Sequence, residues 1–132
     1  MPLIFVYDTE TTGIPLFDQP SDDPRQPHIV EVAAGLFDQE TGARFGEYHA
    51  VVRPDGWTIP DEVAAIHGIT TERALAEGKP EAEVLGVLAA MWDGEDIAAR
   101  VAHNESFDAR IIRIATKRFL GEAAADRWKA GK

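Results

Sequence analysis

The chain has 132 residues, 45% of them hydrophobic, no cysteine and a net charge of −10. These values bound it to one domain with a single core and exclude a disulfide framework, a thiolate metal site and a cysteine nucleophile. No apolar stretch approaches a membrane span, and Met1-Pro2-Leu3 opens no basic leader, so a soluble, cytoplasmic protein is expected.

Leu3-Ile4-Phe5-Val6-Tyr7 is an uncharged apolar run closed by Thr11-Thr12-Gly13, which reads as a strand buried on both faces. Asp8 and Glu10 stand at its end. Strand side chains alternate with period two, so both carboxylates leave on the same face and share one space. Two such anions repel unless a cation lies between them, and an all-oxygen set suits Mg²⁺ or Mn²⁺. A strand-ending Asp8 beside a solvated Glu10 is the plain alternative.

Pro15, Pro20, Pro24 and Pro27 make Ile14 to Pro27 a loop, either a flap bordering the carboxylates or a surface excursion. His28 to Phe37 and Arg44 to Arg53 read as two further strands, joined by a turn at Asp38 to Gly42, which gives an antiparallel meander. Glu31, Tyr48 and His49 are expected on its exposed face, and neither His28 nor His49 has a partner at metal-ligand spacing. Pro60 opens a short helix through Ile66, and the His67-Gly68 that follows is either a helix cap or a substrate-facing pair. Pro80 to Met91 is an amphipathic helix whose crossover lets Ile97 to Ala102 lie parallel to the first strand. That strand delivers His103-Asn104, and a helix from there carries Asp108 in its first turn, at the edge where open α/β sheets bind ligands.

Positive charge is gathered late: residues 1–109 hold 6 Lys/Arg against 21 Asp/Glu, and residues 110–132 hold 7 against 2. Arg110, Arg113 and Lys117 recur on one helical face, as a solvated stripe or as phosphate contacts.

Asp8-Thr9-Glu10-Thr11-Thr12-Gly13 and His103-Asn104-x-x-Phe107-Asp108 resemble the first two motifs of the DEDD-type 3′→5′ exonucleases. That group comprises the proofreading subunits of bacterial replicative polymerases, such as DNA polymerase III, and their RNA-trimming relatives. Ile66-His67-Gly68-Ile69-Thr70 resembles the group's loop segment between those motifs, and the resemblance covers essentially the whole chain. It implies an RNase H-like α/β fold, with an antiparallel first-to-third strand set, one strand parallel to the first, and flanking helices. It also implies metal-dependent hydrolysis of terminal phosphodiester bonds of single-stranded DNA or RNA, in proofreading or nucleic-acid processing. Such hydrolysis uses two divalent ions, roughly 3.5–4 Å apart, to activate a water and stabilise the leaving oxygen. By resemblance Asp8 bridges both ions, Glu10 holds the first and Asp108 completes the second. Thr11, Thr12 and Gly13 then meet the 3′-terminal nucleotide with His67 beside it, while His103 and Asn104 orient Asp108. The implied partners are a single-stranded 3′ end and a polymerase or a second copy, with no membrane.

The chain departs from the group in one respect. A fourth carboxylate, preceded on its helix by a His or Tyr base, is expected after the second motif. Only Asp126 follows, with Gly121 five residues before it, and a continuous helix would carry it roughly 27 Å from Asp108. Residues 1–132 therefore read as one exonuclease-like domain lacking its last strand and last catalytic helix, nearly inactive alone and open along the Ile97 to Ala102 edge. A catalytically incomplete module that holds a 3′ end or a polymerase, or a different metal-dependent enzyme on the same architecture, are the alternatives.

Overall fold

A computed structural model describes residues 2–94 and 96–131. Its centre is β1 (Leu3–Thr11), flanked by antiparallel β2 (Ile29–Asp38) and by parallel β5 (Ile97–Val101). Beyond β2 lie β3 (Arg44–Arg53), with the bounds the sequence predicts, and the two-residue β4 (Lys79–Pro80), giving the order β4-β3-β2-β1-β5. The meander, the parallel return strand and the RNase H-like mixed sheet are all present.

The hairpin turn is fixed by its own residues. Asp38 Oδ1 accepts the N–H groups of Glu40 (2.7 Å) and Thr41 (2.9 Å), and Gly42 supplies the positive φ of 75°, a conformation that costs other residues a Cβ clash.

One face of the sheet carries α3 (Glu81–Trp92), α4 (Glu105–Phe119) and α5 (Glu122–Ala130). Phe5, Tyr7, Val32, Leu85, Leu88, Ile111, Ile112 and Trp128 fill the core between. Trp128 meets Phe5 and Tyr7 edge-on at 6.2 and 5.5 Å and Trp92 at 5.2 Å, and its indole N–H donates to the Ala109 carbonyl at 2.8 Å. The positive charge gathered late in the chain is thus carried in part by a packed helix. The chain turns at Gly121 (φ 96°) and α5 folds back on α4.

The other face is covered only at one corner, by α1 (Asp61–His67) and α2 (Thr71–Glu77), where Val30, Val51, Ile59, Ile69 and Ala74 form a small second core. This overturns the expectation that β1 is buried on both faces. Phe5, Tyr7, Thr9 and Thr11 are buried while Val6 and Asp8 are exposed, because no described element covers the face they share. Helix α2 escapes the sequence reading although its signal is present: Thr70 accepts the Arg73 N–H at 3.1 Å as an N-cap, and that Thr had been absorbed into the loop motif. Tyr48, expected on the exposed face, turns to the core side and is half-buried there, with Lys79 Nζ 5.6 Å above its ring. Among the described residues β5 pairs only with β1 and forms one edge of the sheet.

Replacing Trp128 by Ala removes the side chain that joins α5, β1 and α3, and an emptied aromatic site of this kind costs about 3–5 kcal/mol. Urea unfolding of Trp128→Ala should show that loss; a change under 1 kcal/mol would mean α5 is not docked on the core.

Candidate functional site

The end of β1 is built by alternation. Asp8 and Glu10 project from the open face, Asp8 exposed and Glu10 half-exposed, while Thr9 between them points into the core. There Thr9 donates from its hydroxyl (2.5 Å) and its N–H (3.2 Å) to Asp108 Oδ1. Asp108 sits in the first turn of α4, only 3% exposed, and its own N–H donates to the Asn104 carbonyl at 2.9 Å. Burial above all, with Asp8 adding to it, raises the Asp108 pKa against the lowering effect of the Thr9 bonds. Glu10 is likewise raised, first by burial and then by Asp8, with further pushes from Glu31 and Asp108 and an opposing pull from His67. Asp8 and Glu10 thus share the open face, and Asp108 lies behind Thr9 on the core side of the same strand end. Among the described residues, however, no three His, Asp or Glu side chains are grouped so that they could hold a metal ion, and one Asp108 oxygen is taken up by Thr9.

The neighbouring positions are held by backbone. Thr12 N–H donates to the His28 carbonyl and Thr12 Oγ1 accepts the His28 N–H, both at 3.0 Å, while Thr11 Oγ1 donates to the Gly13 carbonyl at 2.6 Å. His67 closes α1, followed by Gly68 at φ 79°. Its Nδ1 accepts the Ile69 N–H at 3.1 Å, so the neutral ring carries its proton on Nε2. That Nε2 is sealed from solvent and has no hydrogen-bond partner among the described residues. His103 is exposed and lines an open cavity of about 510 Å³ on the bare sheet face together with Asp8, Val6, Ala33, Phe37 and Val101. Asn104 is exposed and serves Asp108 through its carbonyl, its side chain accepting from Ser106 Oγ at 3.2 Å.

Two features were not legible in the sequence. Glu31 lies directly opposite Glu10 in the β1/β2 register, and its Oε2 is 2.6 Å from His49 Nε2; only strand pairing reveals this. The proline-rich segment is a compact clasp in which the Gln26 side chain binds the Leu16 N–H (2.8 Å) and the Leu16 and Pro20 carbonyls (3.0 and 3.1 Å). Arg110 donates to Ser21 Oγ at 3.1 Å and to the Gln19 carbonyl, Lys117 lies 3.9 Å from Asp22, and Arg118 donates to the carbonyls of Gln26 and Pro27. Most of the expected cationic stripe thus straps this segment to α4.

The profile of the RNase_T exonuclease family matches residues 5–130. The chain belongs to the exonuclease family. This bears out the resemblance to DEDD-type 3′→5′ exonucleases read from the motifs. The exonuclease domain is 34% identical over 121 residues to the PolC-type DNA polymerase III of Thermotoga maritima, a match that takes in 88% of this chain and 7% of the polymerase. It therefore spans a small part of that relative. Exonuclease I of E. coli in complex with a dT13 oligonucleotide superposes with a TM-score of 0.78 at 21% identity, covering 97% of this chain and 26% of that one. A form of the same enzyme described as zinc-bound with single-stranded DNA gives 0.77 at 21%, covering 96% and 25%. Exonuclease I of Methylocaldum szegediense gives 0.75 at 24%, covering 91% and 24%. Among the described residues no helix is long and apolar enough to cross a membrane.

The raised Asp108 pKa makes a pH-dependent prediction. The folded chain holds this proton where the unfolded chain, with the ordinary value of 3.8, has released it, so stability falls as pH rises above 3.8. Asp108→Asn keeps an acceptor for Thr9 and carries no charge. In metal-free buffer it should melt above the wild type at pH 7 and match it below pH 3.8; a variant less stable at pH 7 would show that Asp108 is held as a satisfied carboxylate.

Proposed function

We propose that the chain is the catalytic part of a metal-dependent 3′→5′ exonuclease acting on single-stranded DNA, with Asp8, Glu10 and Asp108 as its carboxylates. One observation carries this reading: Asp8 and Glu10 stand side by side on the open face at the end of β1, and Asp108 is tied to the residue between them. An all-oxygen donor set fits a hard divalent cation such as Mg²⁺ or Mn²⁺, and the push of Asp8 on Glu10 is what such a cation relieves. When bound, two ions supply an activated water and neutralise charge on the scissile phosphate. Asp8 and Glu10 would hold them from β1, and Asp108, one oxygen of which Thr9 holds on the core side, would join them through its other oxygen or after release of those bonds. The Thr11 to Gly13 turn, pinned to His28 through Thr12, would present backbone groups to the terminal nucleotide, and the enclosed Nε2–H of His67 would reach it only once its cover moved. His103 and Asn104 hold the strand end that feeds Asp108.

Asp126 is exposed on α5, and neither the Glu10 nor the Asp108 carboxyl owes its shift to it. The fourth carboxylate and the base of the group thus have no counterpart between Asp108 and Gly131, and we assign them to a segment or partner outside these residues. The PolC-type relative makes a replicative polymerase, and hence proofreading, the favoured setting. A second reading, a module that holds a 3′ end without cutting, is favoured by the Asp108 oxygen already engaged by two Thr9 bonds.

Mn²⁺ titrated into the chain should enhance water-proton relaxation, and Asp8→Ala should abolish that enhancement while leaving the fold intact. With a segment supplying the remaining carboxylate and base, a 5′-labelled single strand should shorten stepwise and stop on adding EDTA, with Asp126→Ala indistinguishable from wild type. Equal Mn²⁺ affinity in wild type and Asp8→Ala would refute the site assignment; EDTA-insensitive or internal cutting would refute the reaction.

A further inference from the structure

Behind α4, away from the bare sheet face, a cavity of about 170 Å³ is lined by Arg100, Arg110, Arg113, Lys129, Ala109 and Trp128. Four cations around so small a space are unusual in a chain of net charge −10, and their partners are unequal. Arg100 is neutralised: its Nε donates to Glu105 at 2.8 Å and its guanidinium lies 3.9 Å above the Trp128 ring. Arg110 spends its donors on a hydroxyl and a carbonyl, neither of them charged. Among the described residues Arg113 and Lys129 make no ion pair within 4.0 Å, and Arg113 Nε is sealed from solvent with no hydrogen-bond partner. Burial, and after it the like charge of Arg113, hold the Arg110 guanidinium below its ordinary pKa.

A buried guanidinium donor without an acceptor is costly, and like charges gathered around one cavity repel. Both costs are removed by an oxyanion, which offers several acceptors and a compensating charge to a planar donor fork. We propose that this cavity is a phosphate-binding site, and that its phosphate belongs to the backbone of the single strand whose 3′ end lies at Asp8 and Glu10. The proposal rests on the exonuclease reading given above. Arg113 follows Asp108 by five residues, about 7–8 Å along the helix axis and about 140° around it, so a strand with its end at Asp8 and Glu10 would have to pass round the start of α4 to reach the cavity. Residues 1–109 carry 21 acids against 6 bases and repel a polyanion, so the cavity also gives the strand a direction in which to leave the site.

Two measurements on the full chain in EDTA test this, with Arg113→Gln and the exposed Lys129→Gln, each checked for an unchanged melting temperature. Inorganic phosphate should shift the ¹⁵N resonance of Arg113 Nε in the wild type, and Lys129→Gln should weaken that response several-fold. A 5′-fluorescein oligothymidylate followed by anisotropy should bind with a salt slope reduced by about 0.7 for each charge removed. An unshifted Arg113 resonance overturns the site. A phosphate response with the oligonucleotide slope unchanged in both variants means that the cavity takes free phosphate, and overturns the strand assignment. Failure of the exonuclease reading looks different: wild type that binds phosphate at Arg113 but no oligonucleotide at any salt refutes the strand as the source while the phosphate site stands.

Discussion

Thr9 is the joint on which the site turns. It stands between two outward carboxylates and points inward, where its hydroxyl and N–H hold the one buried carboxylate of α4. The period of two in an extended strand allows this: a single strand end presents a charged pair on one face and a neutral donor on the other. The sheet order follows from the same strand, because β1 is central and its two neighbours, antiparallel β2 and parallel β5, bring the His28 backbone and the α4 entrance to its C-terminal end. Tyr7, two residues earlier on the same inward face, repeats the device by donating to Glu105 at 2.6 Å, so β1 and the first turn of α4 are fastened twice.

That fastening offsets an electrostatic strain. Asp8, Glu10, Glu31 and Asp108 lie near one another, and Glu10 and Asp108 are both held above their ordinary pKa. His49 and His67 are the basic groups placed among them, His49 against Glu31 and His67 toward Glu10. Such a set weakens the fold until it is neutralised, by protonation or by a cation.

How much of this the sequence disclosed depended on the range of the interaction involved. The strands β2 and β3, the helix cores and the parallel return of β5 follow from periodicity and turn residues, which are local. Asp8 and Glu10 share a face by local geometry as well. Glu31 opposite Glu10, by contrast, is a matter of register between strands twenty residues apart, and no local pattern encodes it. The Arg110 and Lys117 stripe was legible only in part for a related reason: helical spacing shows that cations share a face but is silent on whether another segment already lies there. Trp128 was equally hidden, since a lone tryptophan in a basic stretch carries no periodic signal until its partners on β1 and α3 are known.

The clasp formed by residues 14–27 has a consequence for how a ligand would arrive. Gln26, itself 2% exposed, satisfies three backbone groups of the segment from inside, and three cations of α4 grip it from outside. A segment of this length, rich in proline, would otherwise sample many conformations, each a cost to be met on binding. Here the ordering accompanies folding. The wall beside the Thr11 to Gly13 turn is therefore preorganised, and any ligand arriving there would meet a shaped surface with no loop left to order.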